Sequence, residues 1–242
     1  MPLTTVAEVV ARMEEIAAPL PRGDGVACFT RLYLAVTEGV RAELAAGTQF
    51  RDPRFLERLD VVFAGLYFDA LDAFERRPGS EPHAWAPLFA ARRARGIAPL
   101  QFALAGMNAH INRDLPVALV AVARELGIVV EDGTPQHADF LSVNAQLAAT
   151  EAKVKHDYVT GWLRRLDRIV HRFDRIDDVV AMWDVERARD AAWTNGEAMW
   201  AIRDSADLSA AYLDSLDRMV GFAGRGLLVP ADTWLQKLAR LL

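Results

Sequence analysis

Apolar positions recur along the chain at three- and four-residue spacing almost throughout, the period of helices that turn one face inward. The pattern predicts helices over 5–18, 24–45, 53–76, 82–94, 98–126, 135–168, 175–203, 207–221 and 231–241, the fifth broken near Pro116. Punctuation supports these limits. Thr5 with Glu8 has the spacing of a capping box, Asp52-Pro53 and Thr134-Pro135 each set a cap before a first-turn proline, and Gly127 closes the helix ahead of it. Alternating runs are missing, and "IVV" at 128–130 is too short to establish a sheet. Short connections near 77–81, 127–133 and 223–229 suit helices that pack on their chain neighbours. No composition shift, repeat or low-complexity segment divides the chain. The expectation is an all-α fold, a single helical-bundle domain over 1–242 with a kinked or broken central helix.

With 242 residues, 52% of them hydrophobic, the chain can bury one large core. A net charge of -5 and the lack of a basic stripe argue against nucleic acid as a partner. Cys28 is the only cysteine, which excludes an intrachain disulfide, fits a reducing cytoplasm and reads as a small core residue. Glu8, Arg12, Glu14 and Glu15 interrupt the stretch a signal peptide would need. The longest run free of formal charge, Gly96 to Asn112, is shorter than the roughly 20 apolar residues of a membrane span. A cytoplasmic protein with no membrane span is expected.

Polar residues then appear where the helical pattern calls for core. In "GMNAHINRDLP", Asn108, His110, Asn112, Arg113 and Asp114 crowd an apolar helix. His110 and Asp114 are four residues apart, so they share a face and can act as an oriented acid–base pair or as metal ligands; Asp114 can also cap a helix begun at Leu115-Pro116. Pro116 removes a hydrogen bond to the Asn112 carbonyl. Further on, His137, Asn144 and Glu151 fall at seven-residue intervals among Phe140, Leu141, Leu147, Ala148 and Val154. Glu186, Asp190 and Glu197 interleave with Val179, Met182, Trp183, Trp193 and Trp200, with Arg187 beside them. Asp69 sits among Leu59, Val62, Leu66, Ala70 and Ala73, whereas His83, His156 and His171 read as surface residues. A buried polar group without a partner costs about 1–3 kcal/mol, so each inward group needs a partner or a ligand.

The usual zinc-protease, dinucleotide, P-loop and esterase signatures do not occur, nor does the Glu-x-x-His pair of di-iron bundles. "GFAGRG" at 221–226 offers glycines and Arg225 to an anion but reads as a turn.

The segments "ERLDVVFAGLYFDAL", "APLQFALAGMNAHINRDLPVALV", "PQHADFLSVNAQLA" and "DDVVAMWDVERARDAAWTN" together resemble an uncharacterised actinobacterial family, a domain of unknown function (5995), from about Gly23 to Pro230. The resemblance implies a group identity and no activity. On the residues, the leading expectation is a helical enzyme, a metal-dependent hydrolase of a small molecule. Its catalytic residues would be His110, Asp114, His137, Glu186 and Asp190. His110, Asp114, His137 and Asp190 would hold zinc, iron or manganese. Asn108, Asn112, Asn144, Glu151, Asp69, Trp183, Arg187 and Trp193 would contact the ligand. The alternatives are a metal-free binding protein or cyclase-like pocket lined by carboxylates with Trp183, Trp193, Trp200, Tyr67 and Phe102, and a purely structural polar network.

Overall fold

The computed structural model describes residues 3–45, 50–144 and 184–230, and among these every regular element is helical. The helices are α1 (Val6–Ala17), α2 (Gly25–Ala45), α3 (Pro53–Arg76), α4 (Ala86–Ala91), α5 (Pro99–Ala109) and α6 (Leu115–Leu126). They are followed by α7 (135–144), α8 (Val185–Ala201) and α9 (Ala206–Leu227). The expected all-α fold is the fold observed.

The local signals act as their chemistry requires. Thr5 and Glu8 make a reciprocal capping box at α1, and Asp52 accepts from the Phe55 N–H ahead of Pro53. Thr134 accepts from the His137 N–H at 3.1 Å, and Gly127 takes the left-handed conformation that ends α6. Long-range contacts reuse these ends: the buried Asp139 carboxylate of α7 accepts from the N–H groups of Arg51 and Asp52, docking α7 on the start of α3.

Two apolar clusters fill the interior. The first gathers Val9, Met13, Phe29, Tyr67, Trp85, Phe89 and Phe102 from α1 to α5, together with Leu216 and Val220 of α9. The second gathers Phe55, Leu59, Leu119, Val122, Phe140, Val185 and Trp193 from α3, α6, α7 and α8. Two elements run through both. Helix α3 buries Phe55, Leu56 and Leu59 in the second cluster, and Val61, Ala64, Tyr67, Phe68 and Leu71 in the first. The rod formed by α5 and α6 does the same, and its joint lies where the clusters meet.

That joint is the central departure from the sequence expectation. The helix does not break before Pro116. His110–Asp114 instead form a π turn, in which the Leu115 N–H reaches back five residues to the His110 carbonyl. A proline in an ordinary α turn would lose a hydrogen bond and collide with the preceding turn; one extra residue widens the turn, and Pro116 then sits in the first turn of α6.

Other limits also move. Residues 82–85 form a turn ahead of the short α4. Asp184 is extended and caps α8 through the Arg187 N–H, so α8 begins at Val185; the expected helical residues 145–168, 175–183 and 231–241 lie outside the described residues. "GFAGRG" is not a turn, because α9 continues through it to Leu227. Its first glycine serves packing: a side chain at Gly221 would collide with the His83 carbonyl oxygen.

Candidate functional site

The π turn carries His110 and Asp114 to the inside of the molecule, 2% and 0% exposed. The Nδ1 of His110 lies 3.0 Å from Oδ2 of Asp114. The same carboxylate oxygen accepts from the Trp85 indole N–H at 2.9 Å, and Oδ1 accepts from Arg113 Nη1 at 2.7 Å. Three donors converge on one buried carboxylate. With Nδ1–H committed to Asp114, the lone pair of the ring lies on Nε2. Asp114 therefore does not cap α6: its backbone is helical and its side chain makes no cap hydrogen bond.

Trp85 reaches Asp114 because α9 fixes the turn ahead of α4. The buried Asp217 accepts from the His83 N–H at 2.7 Å and the Ala84 N–H at 3.0 Å, and Gly221, one turn on, leaves room for the His83 carbonyl. Arg113 lies between the two acids, its Nε 3.6 Å from Asp217. Asn108 and Asn112 belong to this framework: Asn112 donates to Asn108 Oδ1, and Asn108 donates to the Val220 carbonyl of α9.

The far side of His110 faces α2 and α3. Its ring stacks flat on Phe63 with centroids 3.5 Å apart, and Tyr33 meets it at 4.6 Å and a steep angle. Near this contact His110 Nε2 and Asp60 Oδ2 are shut off from solvent without a hydrogen-bond partner among the described residues, and the equally buried Tyr33 Oη and Thr37 Oγ1 have only each other. The Tyr33 hydroxyl feels the Asp60 charge and the Thr37 hydroxyl one helical turn on. Burial pushes the Asp60 carboxyl up to about 7 and the Tyr33 phenol well above its ordinary range. Burial also lowers His110, opposed by its hydrogen bond to Asp114 and by that carboxylate's charge. At neutral pH His110 is thus a neutral base, and the Asp60 carboxyl, whose charge reaches Tyr33, is still partly protonated.

The other expected site residues stand elsewhere. His137 stacks on Trp193 at 4.6 Å and pairs with Asp132; no hydrogen bond or ring contact joins it to His110 or Asp114. Glu186 and Asp190 are exposed, and Arg187 pairs with Asp184 at the surface. The buried face of α8 is Val185, Arg189, Ala192, Trp193, Gly196 and Met199, one position away from the carboxylates. Trp193 and the half-buried Trp200 lie toward one edge of that face, so a face centred on the tryptophans takes in Glu186 and Asp190 and leaves out Arg189.

Asp69 is also exposed, and the inward acid of α3 is Asp60. Asn144 is buried and accepts from Arg189. Glu151 and Trp183 lie outside the described residues. The set His110, Asp114, His137 and Asp190 does not come together, and no three His, Cys, Asp or Glu among the described residues are placed to hold a metal. Tyr67 and Phe102 belong to the first apolar cluster and Trp193 to the second, so they do not line one pocket.

Tyr33, Thr37, Asp60 and Trp85 were missed from the sequence. The signal was faint: Tyr33 and Thr37 are four apart on α2, and Asp60 interrupts the apolar run "LDVVF".

Compared with known proteins, residues 6–230 match the model of a family described as a family of unknown function (DUF5995). No functionally curated protein and no solved structure matches the chain. No helix among the described residues is long and apolar enough to cross a membrane.

Proposed function

For a chain that belongs to DUF5995, and so has a family but no inherited activity, we propose a hydrolase acting on a small uncharged molecule between α2, α3 and the π turn. The observation that carries the reading is the free Nε2 of an Asp-oriented, buried histidine packed on Tyr33, whose hydroxyl is buried with Thr37 and feels the unpartnered Asp60 carboxyl. A buried polar group without a partner costs about 1–3 kcal/mol, and a ligand that pairs with His110 Nε2 and Asp60 accounts for both.

In this reading His110 Nε2 takes a proton from water while the water oxygen adds to an ester or amide carbon. The Tyr33 and Thr37 hydroxyls donate to the oxygen that becomes negative. Asp60, in its acid form, protonates the leaving group as the carbon–oxygen or carbon–nitrogen bond breaks. Asp114 holds the tautomer and stabilises the imidazolium, with Trp85 and Arg113 keeping it in place. The Phe63 and Phe29 rings around His110 favour an uncharged substrate.

The base must be neutral and the acid protonated. Activity should therefore rise through the lowered His110 pKa, below 6.5, and fall through about 7 as Asp60 ionises. The test is a panel of small esters and amides, followed by the kcat/KM pH profile of wild type, His110→Gln and Asp60→Asn, each checked for folding. A loss of about a hundredfold or more in His110→Gln, with the alkaline limb removed in Asp60→Asn, is expected. Hydrolysis unaffected by His110→Gln overturns the reading.

One observation favours a second reading. A histidine whose Nδ1–H is held by a carboxylate is also the arrangement that orients Nε2 toward a metal, with Asp60 as the neighbouring oxygen ligand. Stoichiometric zinc, iron or manganese in wild type, lost in folded His110→Gln, would select it.

A further inference from the structure

A buried cation and a further unpartnered polar group lie in the other apolar cluster, on the face that α8 turns toward α7. Arg189 is 7% exposed. Its Nε donates to Asn144 Oδ1 at 2.6 Å, its Nη2 donates to the Phe140 carbonyl at 3.1 Å, and its guanidinium carbon lies 4.0 Å above the Phe140 ring. All of these partners are neutral. Among the described residues no carboxylate hydrogen-bonds to Arg189; the charge of Asp190, next in sequence and exposed, reaches it from the surface.

Burial lowers the guanidinium to about 10, so it keeps its charge at neutral pH. A buried cation with no carboxylate in contact is unfavourable, and Nη1, which keeps some contact with solvent, has no hydrogen-bond partner among the described residues.

Trp193 is one helical turn further on the same face. It is 3% exposed, and its indole N–H is buried without a partner. Its ring stacks on His137 and lies 5.0 Å from the Phe140 ring over which Arg189 sits. The two donors thus flank one aromatic ring, in a seam that supplies hydrogen-bond donors and a positive charge but no ionised acceptor of its own.

We infer that the seam between α7 and α8 binds a carboxylate, one oxygen accepting from Arg189 Nη1 and the other from the Trp193 indole N–H. Two remaining donors match a two-oxygen planar group, whereas a phosphate has a third oxygen for which the seam holds no further charged donor. The Phe140 and Trp193 faces suit an organic acid with an apolar or aromatic body. This site is separate from the His110 site and stands whether or not hydrolysis is found there.

The test uses the full chain with benzoate as probe, benzamide as its uncharged counterpart, and inorganic phosphate. The indole N–H resonance of Trp193, assigned by its disappearance in Trp193→Phe, should move saturably with benzoate and stay in place with benzamide. Calorimetry should show benzoate binding weakened about tenfold or more by Arg189→Gln. It should be weakened several-fold by Trp193→Phe, which keeps an aromatic ring against His137 while removing the donor; this second variant carries the test if Arg189→Gln does not fold. An unmoved indole resonance, an equal response to benzamide, phosphate binding tighter than benzoate, or unchanged affinity in both variants would each overturn the inference.

Discussion

Replacing Asp60 by Asn should make the protein more stable, and increasingly so as the pH rises. The Asp60 carboxyl moves from an ordinary 3.8 to about 7 because burial disfavours its charge and its Oδ2 has no donor among the described residues. The folded chain therefore holds this proton more tightly than the unfolded chain, and ionisation works against folding. The penalty is absent below 3.8, grows as pH rises through the interval, and is complete above about 7. At about 1.4 kcal/mol per pKa unit the full penalty is roughly 4 kcal/mol, a large part of the 5–15 kcal/mol by which domains are usually stable. Asn keeps the shape and cannot ionise.

Urea unfolding of wild type and Asp60→Asn between about pH 4 and pH 8 measures the difference. Stabilities that nearly coincide at the acid end and diverge by up to about 4 kcal/mol at the alkaline end are expected. A difference that does not vary with pH would refute the reasoning, because the carboxyl would then be solvated in the fold. The same substitution should abolish the alkaline limb of any hydrolysis. A more stable and less active variant would identify Asp60 as a group kept at a cost to the fold.

Asp114→Ala should destabilise the protein by about 3–5 kcal/mol, because Arg113 is left as a buried charge without its closest partner and Trp85 and His110 lose their acceptor; thermal unfolding measures it. Gly221→Ala should cost about 1–3 kcal/mol or more through collision with the His83 backbone, whereas Gly226→Ala, which meets nothing, should be neutral or stabilising by up to about 1 kcal/mol; equal effects would contradict the packing role. Nitrogen NMR of the imidazole should find the His110 proton on Nδ1 and a titration midpoint below 6.5, and a midpoint above that value would mean that the Asp114 interaction outweighs burial.

What could be read in the chain was whatever depends on near neighbours. The apolar period and the caps at Thr5, Asp52, Thr134 and Gly127 are satisfied within a turn or two of the residue concerned, and they place most helix limits within a few residues. His110 and Asp114 were legible for the same reason: a four-residue spacing in an apolar helix is a local fact, and it remains true across the π turn. Face assignments depend on phase. In α8 the tryptophans stand toward one edge of the buried face, and packing on its far edge put Arg189 inward and left Glu186 and Asp190 outward.

The partners were beyond the reach of spacing altogether. Asp60 lies 50 positions from His110, the bond from Trp85 to Asp114 spans 29, and that from His83 to Asp217 spans 134. Each of these residues has an ordinary surface or core reading in its own segment. The packing of α2, α3 and α9 around the joint of the central rod chose among those readings, because a buried polar group is determined by what lies across from it rather than by what precedes it.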